Sequence, residues 1–593
     1  MSSFIIAVII TPALNIQGNI FDKLQVILDF LESPLRLSIC KETIKAFFIL
    51  LFIYIITILV YETSKVNRKS NIEYGSAKWG NAKTICKKYS DTDFYKNRLL
   101  TQNLRISETG KHIPINLITI ILGGSGAGKS FFYCIPNLLQ AQGSYVVLDP
   151  SGELLNRTGN FLASKGYKIR ALNLDEMEKS FRYNPFSYIH SDDDILRLVK
   201  NLFKATVEKD SHSNDPMWDN QAEAMCMAYM FLIYYFASEE EKNMRTLMYL
   251  AREDIIEEDE DGNIVENAIS ALFKKVELEN PEHIAVRFRK TAMKGAAKTI
   301  LGVQTTLMSR LNRFNLDSIC RLMDCDELNL YDVGNEKTAL FLIIPAEDKS
   351  LNFVVSMLYA QLIPILYKSA KRNRGLKLKV PVHFLMDEFC NVVLPDDFLT
   401  ILTTARKHSI SFSIIIQAIS QIEGIFKNKQ YNTLMGNADS FIYLGSGEFQ
   451  TQKYISERIG KETIVVKSYS NTKEAHGSFS ESNQPAGRAL LEPSEVDTEV
   501  GDNKALVKIR GNHWIKDSKI NPKTHPNYRY TADVTGIYFE ENMTAKGLSF
   551  IEEAPTNSVA DLDVNIDDIS VDIWKRIDII PSDDLEEIIE RRI

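Results

Sequence analysis

Apolar residues gather along this chain in two textures. Eight short runs rich in Ile, Val and Leu recur: LITIIL (117–122), YVVLD (145–149), KIRALNL (168–174), ALFLIIP (339–345), VHFLMDE (382–388), SFSIIIQ (411–417), SFIYLG (440–445) and ALVKIRG (505–511). Continuous rather than alternating apolarity suits strands covered on both faces, and helical patterns separate the runs. The pattern therefore predicts an α/β domain around a mainly parallel sheet. Between residues 187 and 330 the strand-like runs stop, and DILRLVKNLF and QAEAMCMAYMFLIYYF read as helices. That texture predicts an all-α domain inserted into the sheet domain, which then comprises residues 71–186 and 331–535. The Ser/Asn-rich stretch from Lys467 to Gly487 reads as an exposed hairpin or loop.

The N-terminal 70 residues follow another rule. Ala46 to Tyr61 is sixteen uncharged residues, about 24 Å of helix. A ~30 Å hydrocarbon core needs slightly more. Thr43 and Ile44 lengthen the segment if Lys45 snorkels, so a span over about 43–61 is expected. Residues 3–21 also lack charge, although Pro12, Asn15, Gln17 and Asn19 interrupt them. The reading is two spans forming a transmembrane hairpin with a short connecting loop and contacts with membrane lipid. Lys65, Arg68 and Lys69 favour a cytoplasmic C-terminal side, while Lys23, Arg36, Lys41 and Lys45 pull the other way.

At 593 residues the chain exceeds one ordinary core. Its net charge of −8 hides an asymmetry: Thr531 to Ile593 carries 16 acidic and 5 basic side chains, leaving the first 530 residues at +3. Residues 536–593 form an acidic tail, read either as a solubilising extension or as a docking arm for a basic partner. Seven scattered cysteines without a CxxC pair favour reduced thiols, and nine dispersed histidines without HxH or HExxH exclude a recognisable zinc pattern.

Chemistry concentrates where the first apolar run ends. Gly123-Gly124-Ser125-Gly126-Ala127-Gly128-Lys129-Ser130-Phe131 has the phosphate-loop spacing between a predicted strand and a predicted helix. Glycines permit positive φ, letting backbone N–H groups close around phosphate oxygens. Lys129 is expected to bridge the β- and γ-phosphates of ATP, and Ser130 to ligate Mg²⁺. A second carrier is PVHFLMDEFC, four apolar residues followed by Asp387 and Glu388. Asp387 is expected to hold Mg²⁺, through water, and Glu388 to polarise the attacking water. Gln417 ends the next strand-like run and is placed to sense the γ-phosphate. Arg406 is either an arginine finger reaching a neighbouring subunit or an ordinary surface residue.

These motifs and others give the chain a family likeness. With YGSAKWG (74–80), LDPSGEL (148–154), NPFSYI (184–189), DPMWDNQAEA (215–224), LMDEFCNV (385–392) and TTARKHSISFSIIIQAISQIEGIF (403–426), it resembles the type IV coupling proteins of bacterial conjugation. GNADSFIYLGS (436–446), YISERIGKET (454–463), GRALLEPSEV (487–496) and KIRGNHWIKDSKINPKTHPNY (508–528) extend the likeness to about residues 74–530. These are the TraG/TraD-like members of the FtsK/HerA superfamily of ring translocases. The resemblance implies a RecA-like ATPase motor anchored in the bacterial inner membrane and assembled as a homo-hexamer. It also implies a cytoplasmic all-α domain. The partners it implies are single-stranded DNA with its relaxase and the subunits of a type IV secretion channel. LDPSGE carries Ser151 where the family more often has a basic residue, which sets that loop apart. Two other readings share the core: a membrane-bound receptor using ATP only for assembly, and a double-strand translocase of the segregation type. The adjacent Asp-Glu pair favours turnover over the first. An acidic C-terminus, where base reading needs basic residues, disfavours the second.

Overall fold

The computed structural model describes residues 16, 19–32, 41–64, 72–108, 115–207, 216–255, 267–426, 430–471 and 479–539. Of the segment 3–21, expected as the first span, only residues 16 and 19–21 are described, and of the acidic tail, residues 536–593, only 536–539; the remainder of both lies outside the described residues. The chain divides into two compact units, Met1–Ser76 with Glu462–Arg488, and Ala77–Lys461 with Ala489–Ile593.

The first unit contains the apolar helix Lys41–Ser64. It is long and apolar enough to cross a membrane, and its Phe48, Ile49, Phe52, Leu59 and Val60 side chains are exposed. A second helix, Ile20–Glu32, occupies much of the stretch that sequence reading assigns to a connecting loop. The reason is local: Phe21, Leu24, Leu28 and Leu31 recur at three- and four-residue spacing, a helical stripe that the polar residues between them obscure. Strands β10 (Lys461–Asn471) and β11 (Phe479–Ala489) make a two-stranded sheet.

In the second unit a nine-stranded sheet has the order β13-β12-β9-β3-β8-β7-β4-β6-β5. Its strands are β3 (Ile118–Gly123), β4 (Ser144–Pro150), β5 (Lys168–Asn173), β6 (Thr338–Ile344), β7 (Val382–Met386), β8 (Ile410–Ile416), β9 (Ser440–Gly445), β12 (Lys504–Ile509) and β13 (Ile515–Ser518). From β9 to β5 all pairings are parallel; β12 and β13 add an antiparallel edge. The sheet is thus mixed but mostly parallel. Ile118, Ile120 and Leu122 enter one apolar cluster and Ile121 the other, as do Val146 and Leu148 against Tyr145 and Val147. Burial on both faces is why these strands read as unbroken apolar runs. A separate hairpin, β1 (Asn97–Thr101) and β2 (Leu104–Ser107), pairs antiparallel.

Between β5 and β6 the chain is helical, from Asp192–Ala205 through Pro216–Phe236 and Ala297–Leu311 to Asp317–Leu322. Inside this region Asp254 accepts from Arg289, from Tyr229 Oη at 2.5 Å and from Asn267 Nδ2 at 2.9 Å. The helix Asn352–Arg372 after β6 is also apolar enough to cross a membrane by composition, yet 78% of its most apolar window is buried. It is a core helix.

Candidate functional site

Three neighbouring strands of the sheet, β3, β8 and β7, end on one edge, and each is followed by chemistry. Parallel strands place their C-terminal ends together, where α/β sheets form ligand crevices.

After β3 the backbone turns sharply. Gly124 N–H donates to Gly445 O of β9 at 2.8 Å, and Ala127 N–H closes a turn on Gly124 O at 3.2 Å. Gly126 and Gly128 have φ of +75° and +76°. A Cβ at Gly128 would also stand 2.4 Å from the Phe132 ring. The sequence here is thus dictated by backbone shape. Ser125 and Gly126 are exposed, while Ala127 to Phe131 are half-buried. Lys129 Nζ donates to Gly124 O at 3.1 Å, so the lysine arches over its own loop. A single π-helical turn, Ser130–Cys134, leads into the helix Ile135–Leu138. Such turns are rare and concentrate at functional sites. Phe131 packs edge-on against Phe132.

Asp387 follows β7 and is 4% exposed. Its Oδ2 accepts from Ser130 Oγ at 2.8 Å and its Oδ1 from Glu388 N–H at 3.0 Å. Burial raises its pKa, against the opposing pull of the Ser130 bond and the Lys129 charge. Glu388 has φ +52°, a left-handed conformation that costs a non-glycine residue on the order of 1–3 kcal/mol and tends to mark functional positions. Its carboxylate is held from two sides, by Asn391 Nδ2 at 2.6 Å and by Gln417 Nε2 at 3.0 Å.

Gln417 directly follows β8, which pairs with both β3 and β7. The phosphate-type loop, Asp387, Glu388 and Gln417 therefore form one constellation. Arg406 stands apart. It lies in the turn Ala405–His408 before β8, so the length of the strand, roughly 20 Å, separates it from Gln417. It is half-buried and has no ion-pair partner among the described residues.

Two participants escaped sequence reading. Asn391 fixes Glu388, and only the 3₁₀ turn Phe389–Asn391 brings it there. Asp149 ends β4 beside β7; burial pushes its pKa up to about 7, against its bonds from Leu155 and Leu154 N–H and with Asp387 adding to the rise. The LDPSGEL motif was its only sequence signal.

The arrangement has a clear chemical capacity. A Cβ at Gly126 would meet nothing within 4 Å, and beside the glycine turn a hydroxyl and a buried, destabilised carboxylate converge within hydrogen-bonding distance. Such a donor set fits a polyphosphate with a hard divalent cation.

Comparison with known proteins accords with this geometry. The family model for type IV secretory system conjugative DNA transfer matches residues 70–522. The VirD4 protein of Rhizobium radiobacter is 23% identical over 418 residues, covering 68% of this chain and 56% of that protein. The type IV secretion system-coupling protein VirD4 of Bartonella quintana is 23% identical over 430 residues, 70% of this chain and 62% of that protein. The chain thus spans less than two thirds of the length of these curated relatives. Among solved structures, the bacterial conjugative coupling protein TrwBdeltaN70 superposes with a TM-score of 0.54 at 14% identity, covering 78% of this chain and 98% of that one. TrwB in complex with ADP and Mg²⁺ superposes with a TM-score of 0.53 at 13% identity, covering 76% and 96%. At such identities the likeness shows the fold. A model match over most of the chain shows more: this chain belongs to the type IV secretory system conjugative DNA transfer family.

Proposed function

We propose that the chain is a membrane-anchored coupling ATPase that drives DNA transfer through a type IV secretion channel. The observation carrying this reading is the joint placement of the glycine turn, the Ser130–Asp387 pair and a Glu388 carboxylate gripped by Asn391 and Gln417. TrwB complexes with the ATP analogue ADPNP and with ADP and Mg²⁺ support ATP and Mg²⁺ as the ligands.

Backbone N–H groups of the turn other than those of Gly124 and Ala127, which are already bonded within the protein, cradle the phosphates, and Lys129 leaves Gly124 O to neutralise charge between the β- and γ-phosphates. Ser130 and Asp387 hold Mg²⁺, which when bound screens the phosphate oxygens and the leaving group. Glu388 accepts a proton from the attacking water, and Asn391 fixes the carboxylate's orientation. Gln417, bonded to Glu388, is positioned to register whether a γ-phosphate is present. Arg406, remote from this edge, acts on the site of a neighbouring subunit within a homo-hexamer. Relaxase-bound single-stranded DNA is the cargo.

The helix Lys41–Ser64 spans the inner membrane, its exposed apolar side chains facing lipid. Its 24 residues reach about 36 Å, enough for a ~30 Å core. The motor lies on the cytoplasmic side, where ATP is.

A Glu388→Gln variant tests the motor against the receptor reading. Nucleotide affinity should change by less than about twofold while hydrolysis falls by about 10²-fold or more, the usual scale for a general base, and transfer should stop with it. Transfer that persists without hydrolysis would replace the motor with a receptor.

A further inference from the structure

The end of the described sheet returns to the phosphate loop. Lys519 follows β13 and is only 7% exposed. Its N–H donates to Asn503 O at 2.8 Å, which fixes where the side chain starts. Nζ then donates to Ala127 O at 3.4 Å and to Gly501 O at 3.3 Å, and stands 5.3 Å from the centre of the Phe132 ring. Among the described residues no carboxylate forms an ion pair with it. Burial lowers its pKa, with Asp502 and Asp497 opposing from a distance. A largely buried ammonium that touches only carbonyls and a ring is an expensive way to fill space.

The contact falls on an informative peptide. In a trans peptide the C=O and the following N–H point in opposite directions. Holding Ala127 O against Lys519 therefore turns Gly128 N–H to the opposite side. Rotating this peptide changes ψ of Ala127 and φ of Gly128, and Gly128, at positive φ, imposes no side-chain barrier on its side. A contact from outside the loop can therefore help select one orientation. Phe132, the ring that a Cβ at Gly128 would strike, also lies beneath the Lys519 ammonium. We propose that Lys519 is a positioning residue for nucleotide binding, clamping the Ala127–Gly128 peptide so that Gly128 N–H is presented to a bound phosphate. This rests on the nucleotide-binding reading above.

The test uses the full chain in detergent, titrated calorimetrically with ADP and Mg²⁺. Lys519→Met keeps the aliphatic stem and removes the donor; affinity should fall roughly tenfold, the scale of a lost charge-assisted hydrogen bond. Lys519→Arg should restore it to within about threefold of the wild type. In nucleotide-free protein, Lys519→Met should speed hydrogen exchange of amides 124–132 while leaving the rest of the sheet protected. Wild-type affinity in Lys519→Met overturns the clamp, and so does an equal loss in Lys519→Arg, which would make side-chain shape the cause. Should Lys519→Met fail to fold, Lys519→Gln is read the same way, with unchanged affinity overturning the clamp. If wild type itself binds no better than Lys129→Ala, the nucleotide reading falls and takes the clamp with it.

Discussion

Asp254 in the helical region and Asp387 at the end of β7 are both buried, yet their surroundings differ in kind. Burial pushes the Asp254 carboxyl up, but Arg289, Tyr229 and Asn267 outweigh it and hold the pKa below the usual range. Asp387 has a hydroxyl and one backbone N–H, and burial wins, leaving its pKa raised. A saturated buried charge is part of the architecture. An under-satisfied one, beside a glycine turn, is a site whose remaining partner comes from outside. The two regions thus use the same side chain for opposite ends, one for shape and the other for chemistry.

Breaking the saturated pair should have the largest effect. Arg289→Met leaves Asp254 buried with its charge uncompensated and should cost about 3–5 kcal/mol, read as a loss of helical-region stability in denaturant unfolding. Asp387→Asn should do the reverse. Hydrolysis should fall by about 10³-fold, roughly 4 kcal/mol, while unfolding in nucleotide-free chelator buffer shows equal or greater stability. Gln417→Ala should be milder, with about a tenfold loss in turnover and little change in affinity, because Glu388 keeps its bond from Asn391.

Acidity should separate the two aspartates by sign, with the smallest effect. Asp387 binds its proton more tightly folded than unfolded, so its contribution is present below the unfolded value of about 3.9 and is lost as pH rises through its folded pKa. For Asp254 the contribution is present above that value and lost as pH falls through its lowered folded pKa. In metal-free buffer, Asp387→Asn should flatten the decline of stability with rising pH. Asp254→Asn should flatten the acid side instead. A shared direction in the two variants would erase the distinction.

Much of this contrast is legible in sequence, for physical reasons. The parallel strands announce themselves because both faces are buried, and the phosphate-type loop because its conformation tolerates few residues other than glycine. Gln417 is readable as the polar residue ending an apolar run. β13, with residues IKDS, is too short and polar to stand out, and β1–β2 lies in the mixed sequence NRLLTQNLRIS. Asp254 carries no local pattern, and Asn391 and Asp149 fall inside LMDEFCNV and LDPSGEL without those motifs revealing their roles. Asp254 and Asp149 take their meaning from residues far along the chain, Arg289 and Asp387, and Asn391 from the local turn that carries it back to Glu388; only folding shows these contacts.

The central claim is that the edge formed by β3, β8 and β7 binds a nucleoside triphosphate through the glycine turn and the Ser130–Asp387 pair. Equilibrium titration of the purified full chain with a fluorescent ATP analogue and Mg²⁺ tests it most directly. Saturable binding at one site per chain, lost in Lys129→Ala and weakened when Mg²⁺ is chelated, is the result the account predicts. Absence of saturable binding by the wild type, or binding that Lys129→Ala leaves intact, would contradict it.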